Sequence, residues 1–440
     1  MSISLIVCLG ASLVVSQTPE ADKPKLKNFG SSLDQLQWDA RRNEAVEVGP
    51  GRIRTKKMSD DDVVRIETTL VINDVLVVSA QGQTITGLTE RDFLVTEDGE
   101  PQKVGVFALG DNSNIPRSIV LIIDYSISQF PFISSSIAAA EKLVDKLAPR
   151  DRMAIVTDDV ELLSDFTNDR KELKDKLESL LLRATSTRHA RVYEPSRRFG
   201  RSSQYSALMA TLREAFDSED QRPIIIFQTD GDEAYYLRNP IVGPQHISPD
   251  LQQYPGHVIE LLSKDQREKL RNFSVDDVYK TVEQARVTIY TVVPGFRLVG
   301  RSPEEQAQQI KLEWSQRSEA WVMNSSPEAR SKVRREAEKR WSKLSRETVA
   351  YQIDRELKIQ SALAGIAGLT GGWTAFLGDA SQAEKIYSRI LDDMNRRYIV
   401  GYYPTNKERD GHRRKTSITV RGHPEYTVMT RTWYWAPANH

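Results

Sequence analysis

The chain has 440 residues, 39% of them hydrophobic and 28% charged, which is enough for a sizeable core with smaller modules attached. Its 61 Lys and Arg balance 61 Asp and Glu, so net charge offers no argument for nucleic acid or an anionic membrane surface as a partner. The single cysteine, Cys8, stands in the first apolar stretch, which excludes a disulfide framework and thiol chemistry in the body of the chain.

Ile3 to Val15 is an apolar run too short to span a bilayer, and Val14-x-Ser16 before Gln17 reads as a small-residue cleavage site. Residues 1–16 are therefore expected to be a secretory signal peptide. The mature chain is then exported, periplasmic or extracellular, with no transmembrane helix. No Lys or Arg precedes the apolar core, which leaves the true start of that peptide open. Residues 17–62 are polar, with Pro, Lys and Asp throughout, and read as a linker in which Leu33, Leu36 and Trp38 are spaced for one short helix.

From residue 63 to 112 the pattern turns to period two: Val64, Ile66, Thr68, Leu70 and Ile72, then Leu76, Val78 and Ala80. Glu97-Asp98-Gly99 joins Phe93-Leu94-Val95 to Val104-Gly105-Val106-Phe107 as a hairpin. The segment is expected to be a small all-β module.

Ser118 to Ile123 is aliphatic and β-branched without polar alternation, as in a strand buried on both faces of a parallel sheet. It ends in Asp124, Ser126 and Ser128, alternate positions whose oxygens a loop can turn toward one point. Ile137, Leu143, Val144 and Leu147 mark the apolar face of a helix from about Ser134. Met153 to Val156 and Val160 to Leu163 form a strand pair around Asp158-Asp159, and Arg170 to Leu182 is a further amphipathic helix. The loop Arg183 to Arg201 is rich in Arg and Ser and contains His189. Arg197, Arg198 and Arg201 are placed to attract an acidic partner, although such a run is more often a solvated loop.

Gly200 to Ser203 then opens a helix running to about Phe216. A second buried strand, Ile224 to Phe227, ends in Gln228, Thr229, Asp230 and Gly231. Gly231 to Ser274 is long, irregular and Pro-containing, as a rim of loops would be. Val275 to Ala285 reads as a helix and Val287 to Val293 as the next buried strand.

Ser302-Pro303-Glu304-Glu305 and Ser326-Pro327-Glu328 are helix starts. Ile310, Trp314, Trp321, Val333, Trp341 and Leu344 form single apolar stripes on charged helices, which predicts an inserted helical hairpin over 302–356. Gly371-Gly372 closes a helix, Trp373 to Leu377 is a short strand and Ala383 to Met394 a helix. Arg397 to Pro404 opens a β tail that continues over 404–440 and is expected to pack on the early β module, because a meander of that length needs a partner layer. Alternating buried strands and amphipathic helices give the fold class: α/β, with a doubly wound, mainly parallel sheet flanked by helices over 113–403.

Asp124, Ser126 and Ser128 after one strand, the hydroxyl loop at Ser202, and Asp230 after a later strand make an oxygen-only cluster of low charge. Such a cluster suits Mg²⁺ or Mn²⁺ and suits zinc poorly. These segments, in this order, resemble the metal-ion-dependent adhesion site (MIDAS) of the von Willebrand factor type A (VWA) domain, whose pattern is Asp-x-Ser-x-Ser, then a Thr opening a helix, then an Asp followed by Gly. This chain departs from it in having Ile127 before the second Ser and Ser202 in place of Thr, with Ser203 beside it as the alternative hydroxyl. Thr86-Gly87-Leu88-Thr89 through Asp98-Gly99, and Thr370-Gly371-Gly372 through Tyr402-Tyr403-Pro404 to Asp410-Gly411, are similar to a bacterial subgroup, the VWFA-related acidobacterial proteins.

The resemblance implies a Rossmann-like VWA domain with an ion held by Ser126, Ser128 and Ser202. Asp124 and Asp230 would anchor it through waters or hydroxyls, and one open position would take a carboxylate from a protein partner. Catalysis finds little support: there is no His-Glu-x-x-His, no Gly-x-Ser-x-Gly and no phosphate-binding loop. A metal-free scaffold binding partners through the helical insertion, and a metal-assisted hydrolase, are the alternatives. Oligomeric state is not legible.

Overall fold

The computed structural model describes residues 26–48, 70–111, 115–129, 131–185, 203–217, 222–239, 270–324, 327–341 and 346–437. The expected signal peptide and the Arg197, Arg198 and Arg201 loop lie outside these residues. So does most of the loop expected as a rim.

Part of the expected linker is folded. Helix α1 (Ser31–Asp34) leads into strand β1 (Leu36–Asp39), which pairs antiparallel with β2 (Glu44–Glu47). Leu36 and Trp38 thus belong to a strand, and the single short helix expected there stops before them. Leu26 and Leu36 are buried in the same core as Phe166 and Ala207. Carboxylates of the main domain receive the segment's backbone donors: Leu26 N–H reaches Asp165 Oδ2 at 2.9 Å, and Gly30 and Ser32 N–H reach Glu214 at 2.8 and 2.9 Å. Two apolar anchors and a few satisfied amides hold a stretch whose average composition is that of a linker.

Strands β3 (Val71–Val78), β4 (Phe93–Glu97), β5 (Glu100–Gln102) and β6 (Val104–Leu109) begin the β module. The chain then enters the α/β domain through β7 (Arg117–Ile123), α2 (Ile133–Asp145), β8 (Arg152–Thr157), β9 (Leu162–Thr167), α3 (Arg170–Thr185), α4 (Gln204–Glu214) and β10 (Arg222–Gln228). It continues through α5 (Val275–Gln284), β11 (Thr288–Pro294), α6 (Pro303–Asn324), α7 (Pro327–Trp341), α8 (Arg346–Leu369), β12 (Thr374–Leu377) and α9 (Ala383–Arg396).

The sheet order is β12-β11-β10-β7-β8-β9, parallel throughout except that β9 runs antiparallel to β8. From β7 the chain first builds outward to β8 and later returns on the other side as β10. The carboxyl ends of β7 and β10 therefore flank the point where strand order reverses, the crevice in which open α/β sheets bind ligands. Alternate residues of β7 face opposite layers: Ile119, Leu121 and Ile123 pack with Leu143, Leu177 and Ile390, while Val120 and Ile122 pack with Leu208, Val278 and Leu363. Helices cover both faces, which is why these strands show no polar alternation.

The helical insertion is continuous with the domain. Its last helix, α8, runs unbroken through residue 356, so the expected boundary falls inside it. Val349 near its start packs with Leu298 and Ile310 of the excursion, with Trp314 partly buried against them. Ile359, Leu363 and Ile366 further along lie in the sheet's own core. The helix stops where expected: Gly371 has φ of 76°, and a Cβ on Gly372 would meet the Ile289 carbonyl oxygen at 1.9 Å.

The β tail pairs with strands of the early module. Strands β13 (Tyr398–Tyr402), β14 (Arg413–Val420), β15 (Thr427–Met429) and β16 (Trp433–Trp435) complete two antiparallel sheets, ordered β15-β3-β13-β6 and β16-β14-β4-β5. Their inner faces enclose Val75, Phe93, Val95, Val400, Ile418 and Tyr434. Buried Glu97 accepts hydrogen bonds from Tyr402 and Tyr434 hydroxyls at 2.9 and 2.8 Å. The sandwich takes β13 as well as the tail, so the change of module comes at Arg397.

Arginines join the modules at the amino ends of the strands. Arg222 donates to the Gly110 carbonyl at 2.6 Å and to the Asp74 carboxylate at 3.2 Å. Arg397, fully buried, donates to Tyr290 Oη at 2.9 Å, the Asp74 carbonyl at 3.1 Å and the Gly371 carbonyl at 2.6 Å. Arg397→Met should lower unfolding stability by roughly 3 kcal/mol, because it strands buried acceptors in both modules. Arg397→Lys should recover little of this, since one ammonium cannot match a planar fork spread over three acceptors. Urea denaturation followed by tryptophan fluorescence reads both.

Candidate metal centre

The site starts from strand register. β7 and β10 pair from Arg117 opposite Arg222 to Ile123 opposite Gln228, and the Asp124 N–H continues the ladder to the Gln228 carbonyl at 3.0 Å. Asp124 and Thr229-Asp230 therefore leave the sheet side by side. Asp124 forms a tight turn in which its Oδ1 accepts the Ser126 N–H at 2.9 Å. That turn brings Ser126 Oγ and Ser128 Oγ within 3.1 Å of each other. Gly231 follows Asp230 with φ of 76°, and a Cβ there would meet Ile359 Cγ2 at 2.8 Å, so glycine at this position is required by backbone shape and by the approach of α8.

Two glutamines that the motif does not contain tie these groups together. Gln129 Nε2 donates to Asp230 Oδ2 at 2.9 Å and to Ser128 Oγ at 3.3 Å. Gln204 Nε2 donates to Asp124 Oδ2 at 3.1 Å and Asp230 Oδ1 at 3.3 Å. Thr229 Oγ1 also donates to Asp124 Oδ2, at 3.3 Å. Asp124, Ser126, Ser128 and Asp230 are thus brought into one cluster. Ser202 lies outside the described residues. The alternative hydroxyl, Ser203 Oγ, accepts a hydrogen bond from the Arg271 guanidinium, while its N–H donates to the Asp158 carbonyl at 2.8 Å.

The cluster is deeply set. Asp124 is 1% exposed and Asp230 6%. Burial first, and the charge of Asp158 second, push the Asp124 carboxyl up to about 7. Asp158 stands close because its Oδ1 accepts the Tyr125 N–H at 3.2 Å. On the rim, Arg355 of α8 donates to the Asp232 carboxylate, and the Asp232 N–H donates to Asp230 Oδ1 at 3.2 Å. Arg183 stacks on the Tyr125 ring at 4.8 Å.

The donor set fits a hard cation. Two carboxylates and two hydroxyls lie beside Gln129, whose buried Oε1 finds no hydrogen-bond donor among the described residues. Among the described residues there is no group of three or more His, Cys, Asp and Glu able to hold a metal, so any ion here depends on the serine hydroxyls. Gln129, Gln204, Thr229 and Asp158 were not legible as site residues. Their only signal is position, Thr229 and Asp158 one residue past a strand end, Gln204 at a helix start and Gln129 in the loop before α2, and many polar residues share that.

No family model matches the chain, and no curated protein matches it. Among solved structures it is similar to an aerotolerance-related membrane protein from Bacteroides fragilis, at 12% identity over 63% of this chain and 98% of that one, with a TM-score of 0.31. It is also similar to the vWF domain of the type V pili tip protein Mfa5 from Porphyromonas gingivalis, at 14% identity over 64% and 97%, with a TM-score of 0.28. A third is the manganese-loaded TRAP protein of Plasmodium vivax, at 10% identity over 77% and 97%, with a TM-score of 0.27. The α/β architecture rests on the sheet order and helix placement described above. Among the described residues no helix is long and apolar enough to cross a membrane.

The raised Asp124 pKa has a definite sign. Between about pH 4 and 7 the folded state binds more protons at Asp124 than the unfolded chain, so this group's contribution to stability falls as pH rises through that window. In chelator, the urea midpoint should decline from pH 4.5 to 7.5, and Asp124→Asn should flatten that decline. An unchanged slope in the variant would contradict the burial argument.

Proposed function

We propose that this chain is an exported VWA-type protein that binds a divalent cation, Mg²⁺ or Mn²⁺, and uses it to hold a protein partner. The ligands would be Asp124, Ser126, Ser128 and Asp230, with Ser202 as the remaining hydroxyl and Mg²⁺ or Mn²⁺ as the cofactor. One observation carries this reading: two carboxylates and two hydroxyls from two separate strand ends meet at the reversal point of the sheet, where a hard ion would relieve two buried acids.

When bound, the cation would supply an electrophilic position for an oxygen ligand. The chain's own residues set up that position. The Asp124 turn orients both serines, Thr229 and Gln204 hold the Asp124 carboxylate, and Gln129 holds Asp230. The partner group that suits a hard, weakly neutralised cation is a carboxylate. The reading is one of binding: the sequence holds no His-Glu-x-x-His, no Gly-x-Ser-x-Gly and no phosphate-binding loop.

Calorimetric titration of Mg²⁺ and Mn²⁺ into chelator-treated full-length protein tests this. Saturable binding is expected, and Asp124→Ala should abolish it while leaving the fold intact by circular dichroism. Absence of saturable heat with either ion in the parent protein would overturn the metal reading and favour a metal-free scaffold that binds through α6 and α7.

A further inference from the structure

Gln204 stands where a cation would be needed. It is the first residue of α4, it is fully buried, and its carboxamide bridges the two acids contributed by β7 and β10. Its orientation is set from the other side: Oε1 accepts the Glu233 N–H at 2.8 Å. Glu233 is itself immobilised, accepting from Ser206 N–H at 2.9 Å, Ser206 Oγ at 2.6 Å and Arg271 Nε at 2.8 Å. With the carbonyl oxygen committed to a backbone donor, the amide nitrogen necessarily faces Asp124 and Asp230. Its two hydrogens are divided between two carboxylates.

We propose that Gln204 is a displaceable latch on this site, a neutral group that takes the place of the cation between Asp124 and Asp230 and sets how tightly the cation binds. The inference rests on the metal reading above and adds its regulation. Two consequences follow from the hydrogen bonds. First, the paired acids share a donor supplied by the chain itself, so removing metal should not unfold the protein. Second, an ion entering between them must break two charge-assisted hydrogen bonds and leave a buried amide nitrogen to find new acceptors. Affinity is therefore lower than the oxygen donors alone would give, and occupancy responds to cation concentration instead of being permanent.

Gln204→Glu is the discriminating variant, because it keeps size and shape and can still accept the Glu233 N–H while turning an oxygen toward the acids. Gln204→Leu removes the latch without adding charge and serves if the first variant folds poorly. Both are compared with the parent full-length chain by Mg²⁺ calorimetry and by thermal melting with chelator and with Mg²⁺. A latch predicts that both variants melt lower than the parent in chelator and regain more on Mg²⁺ addition. It also predicts Mg²⁺ binding at least about tenfold tighter in Gln204→Glu, the equivalent of one net charge-assisted hydrogen bond.

If the parent binds Mg²⁺ and the variants bind no more tightly, the latch is wrong and the metal site stands. If the parent shows no binding and Gln204→Glu does, the added carboxylate has made the site, and both the metal reading and the latch fall. If none of the three binds, both the metal reading and the latch fall. In the parent alone, the Gln204 side-chain amide protons should exchange slowly in chelator and faster with saturating Mg²⁺; slow exchange under both conditions during proven binding would also overturn the latch.

Discussion

The register between β7 and β10 is the constraint on which the rest depends. Because both strands run seven residues in the same direction and pair from end to end, whatever follows Ile123 is brought beside whatever follows Gln228. At one edge this sets Asp124 next to Thr229 and Asp230. At the other it sets Arg117 next to Arg222. A slip of one residue in either strand would turn its side chains to the opposite layer and separate both pairs. Burial of every residue in β7, and nearly every one in β10, between two helical layers makes that slip costly.

The two edges solve the problem of buried charge differently. At the amino edge each arginine has matched acceptors: Arg117 pairs with Asp151 through Nε at 2.9 Å and reaches Asn395 at 2.7 Å, and Arg222 and Arg397 converge on Asp74 and on carbonyls of both modules. Arginine suits this task because its planar fork serves several acceptors and stays charged. The result is a permanent joint between the α/β domain and the sandwich. At the carboxyl edge, Asp124 meets the Gln204 amide, the Thr229 hydroxyl and the Ser126 N–H, with Asp158 adding a further negative charge. Burial and the charge of Asp158 hold the Asp124 carboxyl above the usual carboxylate range. One edge is closed by matched charges, and the other is where the proposed cation would enter.

The helical excursion connects to this second edge. Expected as a hairpin inserted into the domain over 302–356, it returns through α8, whose Arg355 reaches Asp232 while Ile359 and Leu363 pack against Gly231. Composition could not show this, because α8 carries its charged first half and its core second half in one helix. The polar stretch after the expected signal peptide misled for a similar reason. Its few apolar anchors, Leu26 and Leu36, matter through what they touch and not through their number.

Sequence alone was sufficient for the α/β class, the buried parallel strands, the small β module with its returning tail, and Asp124, Ser126, Ser128 and Asp230 as strand-end residues. Those features follow from local periodicity, turn chemistry and the rule that strand ends in such sheets face a crevice, all of which act within a few residues along the chain. Tertiary structure alone decided that Gln204 bridges acids 80 and 26 residues away, that Gln129 reaches Asp230 across 101 residues, and that Arg397 links two modules. A glutamine carries no charge and little periodic signal, so its role appears only when packing fixes which end of the amide meets a donor and which meets an acid.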